Sequence, residues 1–308
     1  MIGLQYDMLA APAQVGAYVL RPYQRAADEA VDRELATHRS TLVVHATALG
    51  KTVLFCSQAA KRGGCLVLAH RDSLITQAAE KLELATSEPV HIEKAQLRAQ
   101  FGARFIVASV QTLRGERLRK FALRFPDIEF IITDEAHRCT ARSYRAIYEA
   151  FPAAKLLGVT ATPDRSDGVG LKAVFETVAH EYNIIDGTAD GWLTPLTFHP
   201  VQSDVDLSAV KVSRQSDGDT DFDQGDLDNA IVVEASKIAA AALKALDELG
   251  PGSRMIVFAP GVKTAHAGAM AANEARPGIA CVVDGEMTDS EKRPIGRASC
   301  RERVYSNV

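Results

Sequence analysis

The sequence predicts an α/β protein built on a parallel β-sheet flanked by helices, and three observations predict it. Short apolar runs recur through the first half, among them Cys65-Leu66-Val67-Leu68-Ala69 and Lys155-Leu156-Leu157-Gly158-Val159. Runs of that kind suit strands covered on both faces. Helix-like stretches separate them. Polar clusters fall where the runs end, at residues 45–52, 70–72, 109–112, 134–137 and 160–165. In an open parallel sheet those ends form one rim, where ligands bind.

Residues 1–20 are weakly patterned. Leu20-Arg21-Pro22-Tyr23-Gln24 then opens a helix running to about Ala36, with Pro22 in the first turn. Thr41-Leu42-Val43-Val44 reads as a strand and residues 53–60 as a helix. Between them lies His45-Ala46-Thr47-Ala48-Leu49-Gly50-Lys51-Thr52. Strand, tight turn and helix give a phosphate loop its context: turn N–H groups and the helix dipole face an anion, Lys51 reaches the β- and γ-phosphates, and the Thr52 hydroxyl sits on Mg²⁺. The general pattern wants Gly where His45 stands. Gln24 alone reads as a solvated polar residue; beside a phosphate loop its amide offers a donor and an acceptor to an adenine edge.

The run at 65–69 ends in His70-Arg71-Asp72, and a helix follows to Leu84. Arg71 reads equally as a phosphate contact or a surface arginine. Phe105-Ile106-Val107-Ala108 leads to Ser109-Val110-Gln111-Thr112-Leu113, whose hydroxyls and amide suit a nucleic-acid backbone or a helix cap. The strand from Ile128 to Thr133 ends in Asp134-Glu135-Ala136-His137. There Asp134 would bind Mg²⁺ and Glu135 would orient and deprotonate an attacking water. The strand at 155–159 ends in Thr160-Ala161-Thr162-Pro163-Asp164-Arg165.

These motifs, in this order, resemble superfamily 2 DEAD/DEAH-box helicases, nearest in flavour to restriction-enzyme translocating subunits and DNA-repair helicases. The resemblance covers most of residues 20–200. It implies two RecA-like lobes with ATP between them and a nucleic-acid strand across their tops. Carried onto this chain, it puts Gln24 on adenine and residues 47–52 (Thr47, Ala48, Leu49, Gly50, Lys51, Thr52) on the phosphates. Thr52 and Asp134 would hold Mg²⁺, and Glu135 and Asp134 with Lys51 would form the hydrolytic site. Arg71, Ser109, Gln111 and Thr112 would face nucleic acid, DNA being favoured. His137, Thr160 and Thr162 would couple hydrolysis to lobe movement. The loop form in this family usually keeps a Gly where Ala48 stands.

The implied organisation is a RecA-like ATP-binding domain over 1–200, an acidic connection over 201–229 and a partial second RecA-like domain over 230–294. A helix is expected over 231–249, strands over 254–259 and 279–283, and a helix from Val262. Residues 217–223 (Asp-Gly-Asp-Thr-Asp-Phe-Asp) do not fit a calcium loop, because no register puts Gly at position six and Glu at position twelve. Trp192, the only tryptophan, reads as a packing anchor rather than a base-stacking platform. From Ile295 the sequence Ile-Gly-Arg-Ala-Ser-Cys-Arg-Glu-Arg-Val matches the translation of a common sequencing adapter, so residues 295–308 are expected to be a non-native tail. With the second lobe's arginine motif missing, the chain as written is expected to bind ATP weakly and to unwind little or nothing.

Composition narrows the alternatives. A chain of 308 residues with 47% hydrophobic and 24% charged residues is an ordinary globular chain of about two domains. Its net charge of −4 neither supports nor excludes nucleic acid. The five cysteines form no Cys-x-x-Cys pair, which argues against a zinc site or disulfide framework and fits a reducing cytoplasm. No apolar run approaches the roughly 18 residues of a membrane span. The leading function is an ATP-dependent helicase or translocase; the alternative is an ATP-dependent nucleic-acid binder without unwinding, an inactive fragment. A small-molecule kinase would explain the phosphate loop but not Asp-Glu-Ala-His or Thr-Ala-Thr-Pro.

Overall fold

The structure, a computed structural model, describes residues 14–70, 72–163, 170–200, 207–208, 210–214, 220–250, 252–288, 290–292 and 295. The chain divides into two compact units, Met1–Leu196 and Thr197–Val308.

The first unit opens with a small hairpin, β1 (Gln14–Val15) and β2 (Tyr18–Val19), followed by α1 (Pro22–Thr37). Then come β3 (Ser40–His45), α2 (Lys51–Ala60), β4 (Gly64–Ala69), α3 (Asp72–Thr86), β5 (Val90–Glu93) and β6 (Phe105–Ser109). The unit continues with α4 (Gly115–Arg124), β7 (Ile128–Asp134), α5 (Arg142–Ala150), β8 (Lys155–Thr160), β9 (Thr177–Tyr182) and α6 (Ile184–Ala189). Seven strands make one sheet in the order β5-β6-β4-β7-β8-β3-β9. Every neighbouring pair in it is parallel. This is the RecA-like parallel sheet flanked by helices that the sequence predicts.

The apolar runs follow from how the sheet is covered. Side chains alternate across a strand. Val43, Val67, Val107, Phe130, Ile132 and Val159 join one buried cluster with Ala27 and Val31 of α1, Leu54 and Phe55 of α2 and Ile75 of α3. Their neighbours Leu42, Leu66, Ile106, Ile131 and Leu156 join another with Leu118 and Phe121 of α4 and Tyr144 and Ile147 of α5. Both registers are buried, so both must be apolar. The edge strands β5 and β9 break that rule with His91, Glu93, His180 and Glu181, and for that reason neither was legible as an apolar run.

The second unit contains an antiparallel hairpin, β10 (Val212–Arg214) with β11 (Thr220–Phe222), and the helices α7 (Gln224–Val232), α8 (Ala235–Leu249) and α9 (Val262–Ala275). Three differences from expectation arise here. The acidic stretch is not simply a solvated connection: it holds the hairpin and the start of α7, and the Asp223 carboxylate accepts the N–H groups of Gly225 and Asp226, both at 3.0 Å. The helix expected over 231–249 is two helices, broken at Val233–Glu234. Residues 254–259 and 279–283 are not strands. A strand needs a neighbour for its N–H and C=O groups, and the side chains of Ile256 and Phe258 are 71% and 91% exposed. The expected second RecA-like sheet is therefore not formed among the described residues. The tail expected to be non-native lies outside the described residues except for Ile295. Among the described residues, no helix is long and apolar enough to cross a membrane.

Candidate functional site

The loop between β3 and α2 turns through two left-handed residues, Ala48 at φ 69° and Gly50 at φ 72°. Gly50 is required twice over. Its φ suits glycine, and a Cβ there would stand 2.5 Å from the Gln24 amide nitrogen. Ala48 carries its methyl group at a cost of roughly 1 kcal/mol. Leu49 is fully buried and packs with Tyr23 and Tyr182, so its side chain anchors the loop. Thr47 and Ala48 are exposed.

Residues of α1 fix the loop from the other side. The Tyr23 hydroxyl donates to the Leu49 carbonyl at 2.9 Å. Gln24 Nε2 donates to the carbonyls of Leu49 and Gly50 at 3.1 and 3.3 Å, and its Oε1 accepts the Arg21 N–H at 2.9 Å. The backbone N–H groups of Thr47, Ala48, Gly50, Lys51 and Thr52 donate to nothing among the described residues. Carbonyls held inward and amides left free make an anion cradle at the start of α2. Lys51 Nζ donates to the His45 carbonyl at 3.3 Å.

His45, where glycine was expected, is fully buried. Its Nε2 lies 3.0 Å from His180 Nδ1, and its ring meets Tyr23 edge-on at 5.7 Å. Burial, then His180 and Lys51, push its pKa down to about 3, so the ring is neutral near pH 7. Tyr23 and Tyr182 stack at 4.4 Å, Trp192 meets Tyr23 edge-on at 5.8 Å, and Arg21 lies 4.8 Å over Trp192. Sequence reasoning missed Tyr23, His180 and Tyr182 as supports. Only Tyr23 carried a signal, as the neighbour of Gln24.

The sheet order β7-β8-β3 brings the acids beside the loop. Asp134 ends β7, is buried and accepts the Glu135 N–H at 3.0 Å. Burial, then the Glu135 charge, raise the Asp134 pKa. Burial lowers the Lys51 pKa while Glu135 and Asp134 oppose it, so one ammonium and two carboxylates share a common field. Glu135 sits at φ 52°, an uncommon conformation for a side chain of this kind. Its Oε2 lies 3.3 Å from His137 Nδ1, which lies 3.4 Å from Thr160 Oγ1 at the end of β8. Thr160 Oγ1 in turn donates to the Thr162 carbonyl and accepts its N–H, both at 3.2 Å. The residues expected to couple hydrolysis to movement, His137, Thr160 and Thr162, thus form one hydrogen-bonded chain that ends beside Glu135.

The nucleic-acid candidates are only partly assembled. Arg71 lies outside the described residues. Ser109 Oγ donates to Gln111 Oε1 at 2.6 Å, and Gln111 Nε2 donates to the His70 carbonyl at 2.9 Å. This ties the ends of neighbouring β6 and β4 together. Thr112 Oγ1 is turned to the Ala95 N–H at 3.1 Å instead.

With that geometry in place, comparison with known proteins is direct. The family described as the type III restriction enzyme res subunit matches residues 17–165. Residues 17–165 are similar to that family. The IRC3 helicase-family protein of Saccharomyces cerevisiae is 34% identical over 215 residues, which are 63% of this chain and 31% of that protein. The type I restriction enzyme EcoAI endonuclease subunit of Escherichia coli is 28% identical over 251 residues, 70% of this chain and 29% of that one. The chain therefore spans just under a third of each of these two curated relatives. A fragment of an HsdR subunit of a type I restriction enzyme from Vibrio vulnificus YJ016 shares the fold, with a TM-score of 0.61 at 22% identity over 93% of this chain and 48% of that one.

Proposed function

We propose that this helicase-type domain hydrolyses ATP as part of a helicase or translocase working on DNA. The observation that supports it most is the loop of free N–H groups at the start of α2, with Lys51 close enough to feel the charges of Asp134 and Glu135 at the end of β7. Lys51 and the loop amides would bind the β- and γ-phosphates, with Gln24 positioning the loop through the carbonyls of Leu49 and Gly50; the expected adenine contact would need that amide, which is engaged there and with the Arg21 N–H. The Thr52 hydroxyl and Asp134 carboxylate are hard oxygen donors, too few for a closed cage, which suits Mg²⁺ completed by phosphate oxygens and water. A buried carboxylate with a raised pKa is also a group that a cation would stabilise. When bound, the ion would neutralise charge on the phosphate oxygens.

Glu135 would orient water toward the γ-phosphorus and take its proton, as the bond from the γ-phosphorus to the bridging oxygen breaks and ADP and phosphate leave. His137 holds Oε2 of Glu135, so Oε1 is the atom left to accept that proton. The restriction-enzyme relative favours DNA as partner. A reducing cytoplasm is the compartment we propose, where the buried thiols of Cys56 and Cys65 would persist as thiols.

Single-turnover hydrolysis of ATP, with and without duplex DNA, tests the proposal. Slow hydrolysis stimulated by DNA is expected, with Glu135→Gln lowering its rate by about 10²- to 10⁴-fold while ATP still binds. Hydrolysis indifferent to Glu135→Gln, or to DNA, would contradict it.

A further inference from the structure

A cavity of about 760 Å³ opens on the first unit between the N-terminal ends of α4 and α5. Arg114, Arg142 and Arg145 line it, and Glu149 is the one carboxylate in its walls. Arg142 and Arg145 share a helix face by their spacing of three, and Arg114 is the N-cap residue of the other helix. All three arginines are exposed. None of them makes an ion pair with a described residue, Glu149 included.

The contrast with the rest of α4 is chemical. Arg117 is paired with Glu93 at 2.6 Å, and Arg119 with Glu116 at 2.8 Å. Arg117, Arg119 and Lys120, outside the cavity lining, have carboxylate partners; Arg114, Arg142 and Arg145, which line it, have none among the described residues. Gathering unpaired like charges gains nothing for folding, since they repel. The helix ends add to the same field. Neither Arg114 nor the α5 N-cap residue Ala141 makes a side-chain cap, and the N–H groups of Gly115, Glu116, Arg142 and Ser143 donate to nothing among the described residues, whereas those of Arg117 and Tyr144 are taken by the cap carbonyls.

We propose that this cleft seats a phosphodiester group of bound nucleic acid, by contacts separate from Ser109, Gln111 and Thr112. Guanidinium forks match the paired oxygens of a phosphodiester. The cleft is also continuous with the expected contact segment, because Leu113, Arg114 and Gly115 both line it and follow Thr112 directly. An exposed wall of this kind admits a polymer passing across it. The inference rests on the nucleic-acid part of the proposed function.

The test is fluorescence anisotropy of labelled single-stranded and duplex oligonucleotides, titrated with the 308-residue chain across a range of salt. Replacing both Arg142→Ala and Arg145→Ala should weaken binding about tenfold at physiological salt. It should also lower the slope of log affinity against log salt by about one per arginine. Arg142→Lys with Arg145→Lys should restore most of the loss, and unchanged ATP binding and thermal melting of both variants would show that the fold is kept. If wild type binds oligonucleotide and the alanine variant binds it equally, with the same slope, the cleft assignment is overturned while the proposed function stands. If wild type binds no oligonucleotide, both fall. If the alanine variant loses only inorganic phosphate, read by phosphorus NMR line width, the cleft takes free anions and the phosphodiester assignment is wrong.

Discussion

At the ends of β3, β7 and β8, Gln24, Lys51, Glu135, His137 and Thr160 are held by other parts of the chain. Lys51 reaches the His45 carbonyl and shares a field with Asp134 and Glu135. Gln24 spans the Leu49 and Gly50 carbonyls, and His137 links Glu135 to Thr160. In the cleft between α4 and α5, Arg114, Arg142 and Arg145 have no such partners among the described residues. The difference teaches what each place is shaped for. The first is preorganised: its charges are of both signs and its geometry is fixed by buried aromatic and carbonyl contacts, as chemistry on one bound molecule requires. The second carries excess positive charge on an open wall, as holding a long anion without chemistry requires.

If the first region is preorganised, disturbing its supports should matter more than disturbing its exposed surface. The larger effect is expected for Gly50→Ala. The left-handed φ and the approach of the new Cβ to Gln24 Nε2 act together, costing about 2–3 kcal/mol through strain and a displaced hydrogen bond. Chemical denaturation should show that loss, and ATP affinity should fall with it; a variant as stable as wild type would mean that Gln24 does not brace the loop. The smaller effect, of opposite sign, is expected for Ala48→Gly. Relief of the φ 69° strain should stabilise the protein or tighten ATP binding by roughly 1 kcal/mol, less what the flexible unfolded glycine takes back. Loss of stability here would place Ala48 among the supports rather than the exposed residues.

Much of this first region was legible in the sequence because its physics is local. Strands covered on both faces must be apolar in both registers, so β3, β4, β6, β7 and β8 stood out. The turn at Gly50-Lys51-Thr52 and the acids after β7 follow those strands directly. What was not legible depends on neighbours distant in sequence. β5 and β9 are edges with mixed faces. The left-handed Ala48 is set by Leu49 dropping into a pocket of Tyr23 and Tyr182. The arginine cleft draws on two helices that only the sheet order brings together. The same dependence explains the misreading of residues 254–259 and 279–283: their apolar character was real, but it does not make a strand without a partner strand beside it.

The central claim is that the end of β3, the start of α2 and the end of β7 form one nucleotide site. Titration of wild type and Lys51→Ala with ATP in the presence of Mg²⁺, followed by calorimetry, tests it most directly. Saturable 1:1 binding by wild type is expected, weakened about 10- to 100-fold in Lys51→Ala as charge-assisted hydrogen bonds to phosphate are lost. Equal affinity of the two proteins, with Lys51→Ala still folded, would contradict it.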